Sequence, residues 1–202
     1  MNIERTDIGT GFWLAWILSS AIGFGVGGAI GYAIMSVLNS TTVIVGLAFG
    51  AVFGAAGGTM QWLILRRQIT GAGWWVLATS AAFALAGIAA LVVYMDLGGN
   101  SLIAGIAFVA MSGVFGGIMQ WLILRRQGVR AGQWLLATLL GLCLGFAMGF
   151  SVIVLSPAFN ALVMALFGAG FGAGSGALTG AALIRMLRQS HSSDIEGMAT
   201  AH

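Results

Sequence analysis

MQWLILRRQ at positions 60–68 recurs unchanged at 119–127, so the two copies lie 59 residues apart. An exact repeat of this length marks internal duplication, and the offset organises the chain more widely. Each copy closes a long apolar run with a Trp and two Arg, the residue types found where a transmembrane helix leaves hydrocarbon for the cytoplasm.

The composition agrees with a membrane protein: 59% hydrophobic, 6% charged, with a mean hydropathy of +1.02. A soluble domain carries about a quarter charged residues. Each crossing needs roughly 20 apolar residues for about 30 Å of hydrocarbon, and the 202 residues provide six such runs. They are expected near 11–37, 42–65, 72–94, 101–124, 132–155 and 160–184. The first is too long and lacks the cleavage context of a secretory signal.

The 59-residue offset extends through most of the chain. Thr42, Ser101 and Asn160 fall in register as helix N-cap types at the starts of the even spans. Trp16, Trp75 and Trp134 open the odd spans, and Arg67, Arg126 and Arg185 close the even ones. Small residues recur at every fourth position, with Gly54 and Gly58 matched by Gly113 and Gly117 and by Gly172 and Gly176. Val109 interrupts the stripe of the fourth span. In lipid, helices gain no hydrophobic free energy by associating, so glycine serves close backbone approach and dispersion.

A unit of two spans enters the membrane in the same direction each time, which makes the repeats parallel. The expected fold is therefore all-α: six transmembrane helices as three parallel hairpins, at about 11–69, 70–128 and 129–188, in a pseudo-threefold glycine-zipper bundle. One domain covers 1–188, and 189–202 reads as a polar mobile tail.

All eight basic residues, Arg5, Arg66, Arg67, Arg125, Arg126, Arg130, Arg185 and Arg188, precede the first span or follow an even one. The opposite loops, with Asn39 and Ser40, Asp96 to Asn100, and Ser156 with Pro157, have none. The positive-inside rule then places both termini in the cytoplasm. The seven Trp, at 13, 16, 62, 74, 75, 121 and 134, read as a cytoplasmic aromatic belt.

The charge of +3 has no basic face for nucleic acid to follow. No ionisable group lies deep in a span: Glu4, Asp7, Asp194 and Glu196 are terminal, and Asp96 is at an outer end. Such groups usually mark proton relays or ion paths, and no nucleophile with its base is present. His191 and His202 lie in the tail, too few for a metal shell. Cys143, the single cysteine, reads as an apolar filler. These residues imply no enzyme and no cofactor.

Three groups carry a functional reading. Arg67, Arg126 and Arg185 form a possible site for an anion or lipid headgroup, beside the plainer reading of anchoring and snorkelling. Gln61, Gln120 and Thr179 are candidates for an axial polar mouth, or for ordinary interhelical hydrogen bonds. Phe49, Phe108 and Phe167 are candidates for a hydrophobic gate, or for packing against glycine grooves.

The QWLILRR segments at 61–67 and 120–126, with a decayed third copy ending at Arg185, resemble uncharacterised bacterial multi-pass membrane proteins built from QWLxLRR hairpins. The resemblance implies a bacterial plasma membrane and no activity. The three-hairpin plan also looks like mitochondrial carriers, whose repeats carry a proline kink with flanking charges. Here the only proline is Pro157, in a loop, so that mechanism has no support. Glycine-striped translocase subunits are similar in packing alone.

The expectation is a non-enzymatic membrane component: an accessory or scaffold subunit, or an organiser of lipid, with the bilayer, anionic headgroups and other membrane subunits as partners. The alternative is a channel for a small neutral or anionic solute along the threefold axis. A dry axis favours the first and a lumen lined by Gln61, Gln120 and Thr179 the second. Sequence phase cannot choose, because a stripe at every fourth residue drifts by about 40° per step against the 3.6-residue turn.

Overall fold

The computed structural model describes residues 9–38, 42–126 and 132–199, with side-chain surroundings through 189. Arg5, Glu4, Asp7, Asn39, Ser40, Arg130 and His202 lie outside the described residues, as do the side chains of His191, Asp194 and Glu196. The described chain is all-helical: α1 (Thr10–Leu38), α2 (Val43–Leu65), α3 (Gly73–Asp96), α4 (Ser101–Arg126), α5 (Trp134–Leu155) and α6 (Ala161–Ala199). All six contain a stretch long and apolar enough to cross a membrane.

The helix ends fall within two residues of expectation except at the last, where α6 continues past 184 as helix to Ala199. Local chemistry sets the turns. Gly71, Gly98 and Gly99 take positive φ between α2 and α3 and after α3, a region that costs other residues steric strain. Asn160 Oδ1 accepts from Val163 N at 3.0 Å and caps α6 as expected. At α4 the cap is Asn100 rather than Ser101, with Oδ1 accepting from Ile103 N at 3.1 Å. Thr42 has the extended N-cap conformation, but its side chain makes no cap bond.

Each helix packs on its neighbours in chain order, and α6 returns to α1, so the six close into a ring. The outer surface is apolar, with Leu18, Ile22, Leu136 and Leu166 exposed, while Ser20, Thr79, Ser112 and Thr179 are buried. That inversion suits hydrocarbon as the solvent, since polar groups find partners only inside. Cys143 is also on the exposed face rather than filling the interior.

The seams between hairpins are unequal. Along α2/α3, a Cβ on Gly54 would lie 2.7 Å from the Thr79 carbonyl oxygen, and one on Gly50 would strike the Phe83 carbonyl. Along α6/α1, the same holds for Gly168 against the Phe24 carbonyl and Gly172 against that of Ser20. Backbone meets backbone at both. Along α4/α5, the thinnest contact of the ring, a Cβ on Gly113 would meet Leu139 Cδ2 at 2.6 Å, and one on Gly117 would meet Leu135 Cδ1 at 2.6 Å. Side chains intervene there because Val109 stands 59 residues from Gly50 and Gly168, and Phe146 stands 59 residues after Gly87.

Candidate functional site

Inside the ring the side chains stack in layers. At the arginine-bearing end, Trp16, Trp75 and Trp134 bury their indoles, Trp16 and Trp75 with ring centroids 6.1 Å apart and Trp75 and Trp134 5.4 Å apart. Leu65, Leu124 and Leu183, also spaced by 59 residues, are fully buried in the same cluster. This corrects the reading of all seven Trp as an interfacial belt. One Trp of each hairpin is core, because α1, α3 and α5 turn that face inward. Trp62 and Trp121 are half-buried, with Arg66 and Arg125 over their rings at 5.1 and 5.2 Å, and Trp74 is 65% exposed.

Toward the other end lies a phenylalanine cluster. Phe53 is its hub, with centroids 4.9 Å from Phe24, 6.1 Å from Phe108 and 5.4 Å from Phe171. Of the three candidate gate residues, Phe49 and Phe108 approach to 6.5 Å and Phe53 links to Phe167 at 6.2 Å. The gate candidates thus belong to a larger plug whose centre, Phe24, Phe53, Phe83 and Phe171, was not singled out in the sequence. Their 59-residue register is broken by Ser112 and Leu142, which hid them.

Between the two plugs is a polar layer, and here the structure brings Gln61, Gln120 and Thr179 together around one cavity of about 30 Å³. Gln61 Nε2 donates to Ser20 Oγ at 3.1 Å, while Gln61 Oε1 accepts from Trp75 Nε1 at 2.9 Å. The amide therefore ties its own hairpin to the next one. Gln120 Nε2 repeats the first bond, donating to Thr79 Oγ1 at 3.1 Å. Thr179 Oγ1 accepts from Trp16 Nε1 at 3.1 Å and donates to the Ser175 carbonyl at 2.7 Å. Two buried polar atoms, Trp134 Nε1 and Thr138 Oγ1, have no protein partner.

Arg67, Arg126 and Arg185 are exposed. The adjoining Leu65, Leu124 and Leu183 fill the interior at that level. Arg126 borders an outward groove of about 430 Å³ between α3 and α4, with Trp74, Leu77, Met119 and Leu122 along it. The trough is apolar apart from that one guanidinium.

Comparison with protein-family models, curated proteins and solved structures found no match for this chain. The geometry alone carries the functional argument.

Proposed function

We propose that this chain is a non-enzymatic integral membrane protein that serves as an accessory or scaffold subunit and organises anionic lipid at its arginine-bearing face. The observation that carries the reading is the filled interior: a Trp and Leu layer at one end and a Phe cluster at the other bracket a cavity of only about 30 Å³. The side chains best suited to line a pore, Gln61, Gln120 and Thr179, are held in hydrogen bonds between helices. Among residues kept in register across the three hairpins, Trp16, Trp75 and Trp134 and Leu65, Leu124 and Leu183 pack in the interior. In this reading the bundle is a pseudo-threefold glycine zipper of three parallel repeats, with both termini cytoplasmic in a bacterial plasma membrane.

The lipid role rests on the α3/α4 groove beside Arg126. An interfacial arginine over an apolar trough recognises a phosphate by charge-assisted hydrogen bonds and the chain by its area. Purification in a mild detergent is expected to recover a stoichiometric membrane partner together with co-purifying anionic phospholipid. A lone protein with measurable solute flux in proteoliposomes overturns the scaffold reading.

One observation favours a second reading, a facilitator for a small neutral or anionic solute: the polar layer lies inside the helix ring. Conduction requires both plugs to part. Proteoliposomes that pass no water, ammonia, glycerol or chloride above the empty-vesicle rate remove it.

A further inference from the structure

The axial cavity has a chemical asymmetry that follows from three small substitutions in register. Ser112 stands where Phe53 and Phe171 stand in the other hairpins, Leu142 where Phe24 and Phe83 stand, and Thr179 where Gln61 and Gln120 stand. All three line the cavity. Each replaces a larger side chain with a smaller one, and together they remove volume from the side of the ring nearest α5.

The same side has lost hydrogen bonds. Gln61 joins the hydroxyl of Ser20 to the indole of Trp75. The corresponding partners of Gln120 are Thr79, which it reaches, and Trp134, which it does not. The corresponding hydroxyl for position 179 is Thr138, but a threonine is too short to reach across as glutamine does. Trp134 is 1% exposed and Thr138 5% exposed, and both line the cavity with their polar atoms unpartnered by protein. Leaving an indole N–H and a hydroxyl dry in this setting forfeits the hydrogen bonds both make to water in the unfolded chain, with nothing to offset the loss.

We infer that the cavity is a built hydration site, in which one or two water molecules take the hydrogen bond of Trp134 Nε1 and exchange one with Thr138 Oγ1. A water needs roughly 10–15 Å³ of such volume and two to four polar partners, and about 30 Å³ fits two molecules at most. The chamber is too small for a larger solute, and its chemistry is neutral, since no ionisable side chain lines it. The site sits where the repeat is imperfect: Gln120 does not reach Trp134, and Thr179 does not reach Thr138 as a third glutamine would, so water takes both places.

The test is magnetisation transfer from water to assigned Trp indole N–H groups in ¹⁵N-labelled protein in lipid nanodiscs. Trp16, Trp75 and Trp134 are equally buried, but only Trp134 lacks a protein acceptor. The expected result is a water cross-peak at Trp134 at least severalfold stronger than at Trp16 or Trp75. Its absence at an observed Trp134 signal, or equal intensity at all three, overturns the inference. In Thr179→Gln the longer side chain, which the register directs to Thr138 and Trp16, takes up cavity volume and the hydroxyl that shares the water, so the Trp134 water peak is expected to weaken severalfold, and a folded variant that keeps it at full strength overturns the assigned site. The wild-type comparison stands if that variant does not fold. A hydrated chamber of this size makes no demand on the scaffold reading, so loss of one leaves the other intact.

Discussion

Trp75 Nε1 donates to Gln61 Oε1 at 2.9 Å across the α2/α3 seam, joining two hairpins through a buried side-chain bond. Fifty-nine residues on, Trp134 Nε1 makes no such bond to Gln120. The difference tracks the helices: α2 and α3 meet through glycine and backbone, whereas α4 and α5 are held apart by Leu135, Leu139 and Phe146.

Gln61→Leu is therefore expected to destabilise the bundle more than Gln120→Leu. The first strands the Trp75 indole and the Ser20 hydroxyl, at about 1–3 kcal/mol per buried group. The second strands no indole, since Trp134 is already unpaired by protein, and Thr79 Oγ1 still donates to the Trp75 carbonyl at 2.7 Å. Thermal unfolding of both variants in one detergent measures the order, and an equal loss contradicts it.

Glycine substitutions should separate the seams. A methyl on Gly54 lies 2.7 Å from the Thr79 carbonyl oxygen and 2.9 Å from Ser80 Cα, both of them backbone. Overpacking of that kind costs about 1–3 kcal/mol. On Gly113 the nearest atom is the flexible tip of Leu139, which can rotate away. Gly54→Ala is expected to lower the melting temperature clearly and Gly113→Ala to leave it almost unchanged.

Lipid retention should depend on the α3/α4 groove. Arg126→Gln and Trp74→Ala are each expected to reduce anionic phospholipid bound to the purified protein severalfold, read by native mass spectrometry. Neither side chain is buried, so melting should move little. Undiminished lipid in both variants argues against the groove as its site.

Topology is open to a direct check. In a Cys143→Ala background, Ser156→Cys is expected to react with an impermeant maleimide added outside cells, and Thr70→Cys only after lysis. The reverse pattern would invert the orientation inferred from the arginines.

Much of the plan was legible one residue at a time. The QWLILRR exits and apolar runs located six helices closely, because hydropathy and span length are local properties. The register of Gln61, Gln120 and Thr179 was legible, but the bonds they make were not. The role of Trp16, Trp75 and Trp134 was not legible, since a Trp near an arginine cluster suits an interface as well as a core.

By itself, then, the sequence determined the number and spacing of the helices and which positions recur every 59 residues. Only the tertiary structure decided which face of each helix meets the interior, that the ring is closed by α6 on α1, and that α4 and α5 make its thinnest contact. The reason is geometric. A stripe of small residues drifts around its helix and offers more than one face for packing, and whether Gln120 reaches Trp134 depends on an interhelical separation set by side chains on both helices at once.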